Sequence, residues 1–231
     1  IKKIISKERG SSLAQKIDPH KVTLPEKLNP DSLLEESENT THYSIIDRDG
    51  NVVSNTYTLG YSFGSGVTIP GTGILLDNQM NNFAYQHGNP EVIDRSASIG
   101  NKFEPGKRPM STMTPIIVFD ENNELKLITG SPGGALIPAA VLRVVTGIID
   151  FNLNLGEATM LPRVHKDWPY ENLKLEKGFS NDTLKILQSY GHELEESKTM
   201  GSTQSILISS KGKEGFADLR RPNAGVAIQI D

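Results

Sequence analysis

Thr40-Thr41-His42-Tyr43-Ser44-Ile45-Ile46-Asp47-Arg48-Asp49-Gly50-Asn51-Val52-Val53-Ser54-Asn55-Thr56-Tyr57-Thr58 reads as two strands around a turn. Tyr43, Ile45, Val53, Thr56 and Tyr57 are β-branched or aromatic strand formers. Between the strands, Asp49-Gly50 readily takes the positive φ angles of a type I′ hairpin turn. With that dipeptide at the tip, Arg48 is expected to face Asn51, Ile46 to face Val53 and Thr41 to face Thr58. The pairing brings Thr58 beside Thr40 and Thr41. Alternation sends His42 to the face opposite Thr41, so it is a poor proton acceptor for that hydroxyl. On strand propensity alone, Thr41 to Ser44 are most simply read as an ordinary edge strand.

Downstream lie Gly64-Ser65-Gly66, Gly71-Thr72-Gly73, a short apolar run from Ile74 to Leu76, and the amide-rich Asp77 to Asn82. Residues 84–109 read as a long loop. Ile116 to Phe119 and Leu125 to Thr129 form a predicted hairpin around Glu121-Asn122-Asn123. Gly130-Ser131-Pro132-Gly133-Gly134 then breaks the strand, and an apolar helix follows roughly from Leu136 to Ile149. A short helix is expected from Leu155 to Leu161. A clearer one runs from Asn181 to Tyr190, with Ser180 or Asn181 to cap it and Gly191 to end it. Ser205 to Ser209, Gly215 to Asp218 and Val226 to Ile230 are expected to finish the sheet. Strands at both ends with helices between them give an α+β class. Upstream, Ile4 to Ile17 can form a short helix with a weak point at Gly10. The polar stretch that follows, with Pro25, Pro30, Glu35, Glu36 and Glu38, has too little apolar surface to order itself. The chain therefore divides into a tail, residues 1–39, and an ordered body, residues 40–231.

Composition narrows the chemistry. Against 28 Asp and Glu there are 24 Lys and Arg, so no basic surplus exists to hold a nucleic-acid backbone. The absence of cysteine removes disulfides, thiolate zinc sites, iron–sulfur clusters and a cysteine nucleophile. His20, His42, His87, His165 and His192 are scattered without a ligand spacing, so no metal is expected. No apolar stretch reaches the length of a membrane span. The strand, glycine loop and helix around Gly130–Gly134 have the layout of an anion site. They lack GxxxxGK[ST], which argues against a nucleotide. Two successive glycines can aim backbone N–H groups at one oxygen, as in an oxyanion hole, or can simply open a helix.

Six stretches taken together are more specific than any one of them. Thr40-Thr41-His42-Tyr43-Ser44, Thr56-Tyr57-Thr58-Leu59, Gly73-Ile74-Leu75-Leu76-Asp77-Asn78-Gln79-Met80, Lys107-Arg108-Pro109-Met110-Ser111-Thr112-Met113, Gly130-Ser131-Pro132-Gly133-Gly134 and Met200-Gly201-Ser202-Thr203-Gln204-Ser205 occur in this order. With them the chain resembles, over essentially its whole length, the gamma-glutamyltransferase family of N-terminal nucleophile hydrolases. The resemblance implies a four-layer αββα sandwich. It implies that residues 40–231 are the small catalytic subunit and residues 1–39 the end of the large one. It also implies self-cleavage at Asn39–Thr40, after which the remainder of the large subunit is the heterodimer partner. Cleavage would free an α-amine on Thr40 with a pKa near 7.7–8.0, against about 10.4 for lysine. Roughly 20–35% of it is free base at pH 7.4, so the residue carries its own general base.

By the same resemblance, Thr40 is the nucleophile, Thr58 the second threonine that bonds it, and Gly133 and Gly134 the oxyanion hole. Ser111 and Thr112 stand where the family has a Ser-Ser pair for the substrate α-carboxylate, and Gln79 where the α-amino group is contacted. Asn82 departs from the pattern, because the family's aspartate there pairs with the glutamyl ammonium. The implied activity is transfer or hydrolysis of the gamma-glutamyl group of glutathione-like amides, with an amino-acid or peptide acceptor and no cofactor. Asn82 keeps open a glutaryl- or cephalosporin-type acylase or a member acting on gamma-polyglutamate. An unprocessed, inactive precursor fragment is the non-enzymatic alternative. Residues 84–105 correspond to the lid loop of some bacterial members without its expected tyrosine. The family is usually exported to the periplasm or cell surface.

Overall fold

In a computed structural model, which describes residues 5–23, 40–83, 101–166 and 172–229, the opening stretch forms the expected antiparallel hairpin with its register moved by one residue. Along the chain the elements are α1 (Lys7–Ala14), β1 (Thr40–Ile46), β2 (Val52–Thr58), β3 (Ile116–Phe119), β4 (Leu125–Thr129), α2 (Ile137–Ile149), α3 (Leu155–Met160), β5 (Val164–His165), β6 (Asn172–Leu175), α4 (Asn181–Ser189), β7 (Glu193–Glu196), β8 (Gln204–Ser209) and β9 (Gly212–Ala217). Ile46 faces Val52, His42 faces Thr56 and Thr40 faces Thr58. The turn causes the shift. Asp47 N–H bonds the Asn51 carbonyl, so Arg48-Asp49-Gly50 is a three-residue loop in which Gly50 has φ 86°. This left-handed glycine closes the loop in place of a type I′ pair. The Asp47 carboxylate secures it by accepting from the backbone N–H groups of Asp49 and Asn51 and from the Asn51 side chain. The correction is consequential, because a one-residue slip exchanges the faces of a strand. Thr58 stands opposite Thr40, on the inward face, and not opposite Thr41.

Two compact units are present, and the larger combines Asp31–Arg163 with Lys198–Asp231. Its second sheet has the order β3-β4-β8-β9, antiparallel throughout. The predicted hairpin of β3 and β4 is found, around an Asn123 at φ 63°. The inward face of β1–β2 lies on this sheet, where Ser54 Oγ donates to the Thr129 carbonyl and Ser44 Oγ to that of Gln204. On its other face sit α2 and α3. Ile137, Ala140, Val141, Val144 and Ile148 of α2 are buried at helical spacing. Leu127, Val144, Ile148, Leu155, Ala158 and Leu207 form one core. Gly147 lets the two helices close up, since a Cβ there would lie 3.0 Å from that of Ala158. The layers are thus sheet, sheet and helices, with β4 buried between them.

Val226 to Ile230 were expected as a closing strand. No strand is found over residues 222–229, and residues 230–231 lie outside the described ones. Asn223 at φ 67° turns the chain, and Val226 packs on Gly215, where a Cβ would come within 2.7 Å of it. The smaller unit combines Ile1–Pro30 with Val164–Ser197. It holds α1, the sheet β5-β6-β7 and α4, with β6 and β7 parallel across α4. Ser180 caps α4 by accepting from Thr183 N–H, as expected. The sequence reading did not contain β5 to β7, for Glu193-Leu194-Glu195-Glu196 has little strand propensity. Among the described residues of the tail, Lys7–Ala14 form α1, shorter than Ile4 to Ile17, and Val22 N–H bonds the Tyr190 carbonyl of this unit.

Candidate active site

Thr40 is 5% exposed and opens β1, directly across from Thr58 at the end of β2. Residues so paired have Cβ atoms about 4.5–5.5 Å apart, which is within reach of two hydroxyls. Thr58 Oγ1 accepts the Gly60 N–H at 2.9 Å. The Thr40 carbonyl accepts from an Arg221 guanidinium at 3.1 Å. A cavity of about 380 Å³ opens beside this pair, lined by Thr40, His42, Pro132, Ser202 and Arg221 among others. Pro132 belongs to the glycine loop, so that loop and Thr40 border one space.

That loop has its shape for identifiable reasons. Gly133 has φ 135° and Gly134 φ 58°, both in territory that disfavours a side chain. A Cβ on Gly133 would also lie 3.0 Å from Gly201 Cα. A 3₁₀ turn over Gly134–Leu136 then leads into α2. Ser131 Oγ accepts the Ser202 N–H and donates to the Pro132 carbonyl, which ties the loop to residues 200–203. Those residues are in turn held by a buried ionic cluster. The Asp218 carboxylate accepts from Arg163 at 2.7 Å, from Arg220 at 3.2 Å and from the Thr203 N–H. Arg163 also donates to the Met200 carbonyl.

The remaining sequence-predicted residues fall into two hydrogen-bonded groups. Gln79 and Asn82 lie on a 3₁₀ turn, where Asn82 Nδ2 donates to Gln79 Oε1 and Gln79 Nε2 points at the Thr58 carbonyl (3.5 Å). Thr112 Oγ1 donates to the Gly134 carbonyl, and Ser111 Oγ accepts the Met113 N–H. Asn101, which sequence reasoning missed, links the two groups. Its side chain donates to the Asn82 carbonyl and accepts the Met110 N–H. Nothing local marks Asn101, Arg221 or the Arg163–Asp218 pair as site residues, because each acts on chain far away in sequence. Residues 84–100 of the lid correspondence lie outside the described residues.

His42 shares the inward face with Thr40 but is engaged elsewhere. Its Nδ1 bonds Thr56 Oγ1 at 2.7 Å and its Nε2 bonds Ser44 Oγ at 3.2 Å. Burial pushes its pKa down to about 4, so the ring is neutral at pH 7. Among the described residues, no group of three or more His, Asp or Glu could hold a metal ion. No helix among them is long and apolar enough to cross a membrane.

Two facing sheets backed by helices, with a buried threonine opening a strand at their interface, define the α+β fold of N-terminal nucleophile hydrolases. A family model described as gamma-glutamyltranspeptidase matches residues 1–228, and the chain belongs to that family. It is 43% identical over 211 residues to the glutathione hydrolase proenzyme of Escherichia coli, which covers 91% of this chain and 36% of that protein. The chain thus spans little more than a third of that relative. Among solved structures, a gamma-glutamyltranspeptidase chain from Pseudomonas nitroreducens aligns with a TM-score of 0.72 at 35% identity, covering 82% of this chain and 100% of that one. A cephalosporin acylase from Bacillus halodurans aligns with a TM-score of 0.79 at 26% identity, covering 99% and 39%.

Proposed function

We propose that this chain carries the catalytic part of a gamma-glutamyltransferase/glutathione hydrolase that cleaves itself between Asn39 and Thr40. The observation that carries the reading is the pairing of Thr40 with Thr58, with the buried Thr40 lining a cavity that Pro132 of the Gly130–Gly134 loop also borders. In this mechanism the α-amine freed on Thr40 takes the proton of its own hydroxyl. Oγ1 attacks the γ-carbonyl carbon, while Thr58 orients the attacking oxygen. The N–H groups of Gly133 and Gly134 receive the oxyanion. Collapse breaks the C–N bond, the α-ammonium returns its proton to the leaving amine, and an ester on Thr40 remains. Water or an acceptor amine then attacks that ester and releases the threonine. Ser111, Thr112 and Gln79 bind the glutamyl end.

The division at Asn39–Thr40 has independent support. The Pseudomonas chain is covered in full by 82% of this chain, and residues 40–231 make up about the same share of the 231. The partner is the remainder of the large subunit. In support, the outward face of β1–β2 exposes Tyr43, Ile45, Val53 and Tyr57 together, an apolar surface that calls for cover. Asn82 and the resemblance to the cephalosporin acylase favour a second reading, an acylase for glutaryl-type side chains. Intact mass and turnover of gamma-glutamyl-p-nitroanilide test the main reading in the full-length protein. Thr40→Ala is expected to stay uncut and to lose turnover altogether. A Thr40→Ala protein that turned the anilide over would overturn the assignment.

A further inference from the structure

Hydrogen bonds within a sheet fix its strands, but they do not fix how one sheet lies on the next. The two layers that meet at Thr40 need a separate device to hold the nucleophile strand against the glycine loop. The imidazole of His42 occupies the space where a side chain at position 130 would go. A Cβ on Gly130 would lie 2.2 Å from His42 Cε1, 2.4 Å from Nδ1 and 2.8 Å from Nε2. Gly130 is not at positive φ, so its glycine serves space and not backbone conformation.

The ring is also fixed in rotation. Ser44 Oγ donates its one proton to the Gln204 carbonyl, so it accepts from His42 Nε2–H. The neutral ring then accepts at Nδ1 from Thr56 Oγ1–H. Gln204 N–H donates to the Gly130 carbonyl at 3.1 Å. His42, Ser44, Gln204 and Gly130 thus form a closed circuit across the layers. Two residues before His42 on β1 is Thr40, and three residues after Gly130 is Gly133.

We propose that His42 is a positioning residue, whose ring seated on the bare Cα of Gly130 sets the distance between the Thr40 hydroxyl and the N–H groups of Gly133 and Gly134. The inference rests on the assignment of Thr40 and of the two glycines above. It adds a role for a histidine whose two ring nitrogens are engaged by Thr56 and Ser44.

The test is a double-mutant cycle in the full-length protein. Gly130→Ala drives a methyl into the ring. His42→Asn keeps a polar atom for Thr56 and vacates the Cε1 and Nε2 volume. Gly130→Ala is expected to lower kcat for gamma-glutamyl-p-nitroanilide at least about tenfold with KM within about twofold, because small misplacements of reacting groups are costly. The double variant is expected to regain at least about fivefold over Gly130→Ala. A purely structural role would lower the melting temperature without that split and rescue. Losses that multiply in the double variant, with Thr40→Ala inactive, overturn the positioning role alone. An active Thr40→Ala overturns the underlying reading and this inference with it. If Gly130→Ala does not fold, His42→Asn decides the matter. Expected is at least about a fivefold fall in kcat at unchanged KM in a self-cleaved protein, and kcat within about twofold of wild type refutes the inference.

Discussion

Acidification is expected to destabilise this fold through His42. The ring is 5% exposed, and desolvation alone lowers its pKa from 6.5 to about 4. An unfolded chain binds a proton at this histidine near pH 6.5, and the folded one declines it until about pH 4. Below pH 6.5 the unfolded state therefore holds more protons, and stability falls as pH falls. Each pKa unit corresponds to 1.36 kcal/mol, so the loss from pH 7 is about 2 kcal/mol at pH 5 and about 3 kcal/mol at pH 4. Above pH 7 the histidine contributes no further dependence. Denaturant unfolding of wild type and His42→Asn at pH 7, 5 and 4 isolates this one site. Other groups, including His192 with its own lowered pKa, are common to both proteins and cancel. The difference between the two proteins should shrink by about 3 kcal/mol across the range. In labelled protein, the imidazole signal absent from His42→Asn should titrate far below 6.5. A flat difference curve, or a signal titrating near 6.5, would refute the desolvation argument.

Asn82→Asp is expected to shift preference from glutaryl toward gamma-glutamyl anilide by about fivefold to tenfold in kcat/KM, since a charged acceptor adds about 1 kcal/mol over a neutral one for an ammonium; an unchanged ratio would show that residue 82 does not meet the α-amine. Asp218→Asn leaves Arg163 and Arg220 buried without their shared carboxylate. A cost of about 3–5 kcal/mol is expected, read as a lower melting temperature and slower self-cleavage, and a variant within about 1 kcal/mol of wild type would contradict it.

Much of the fold was legible because it is written in local signals. The β3–β4 hairpin follows from two short apolar runs around a Glu121-Asn122-Asn123 turn, and α4 from Ser180 and Gly191 at its ends. The apolar helix after the glycine loop is also where it was expected, preceded by one 3₁₀ turn. Failures came where a side chain outside the motif being read, near or far in sequence, decided the matter. Asp47 lies just outside the turn dipeptide, yet its carboxylate selects the three-residue loop and so the register. Glu193–Glu196 becomes a strand because β6 is beside it, not because of its own residues. The site was legible as motifs, and the family they pointed to is the one the chain belongs to. Asn101 and Arg221 escaped because one polar residue in a loop gives no sign of what it will meet.

The sequence by itself determined most of the strand-forming and helix-forming segments, the glycine loop and the motifs that mark the family, because propensity, capping and turn preference act over a few neighbouring residues. Only the tertiary structure decided that Thr58 shares a face with Thr40, that His42 is spent on Gly130, Thr56 and Ser44, and that Arg163 and Arg220 share Asp218. Those outcomes depend on which surfaces are buried against each other, and burial is a property of the assembled layers.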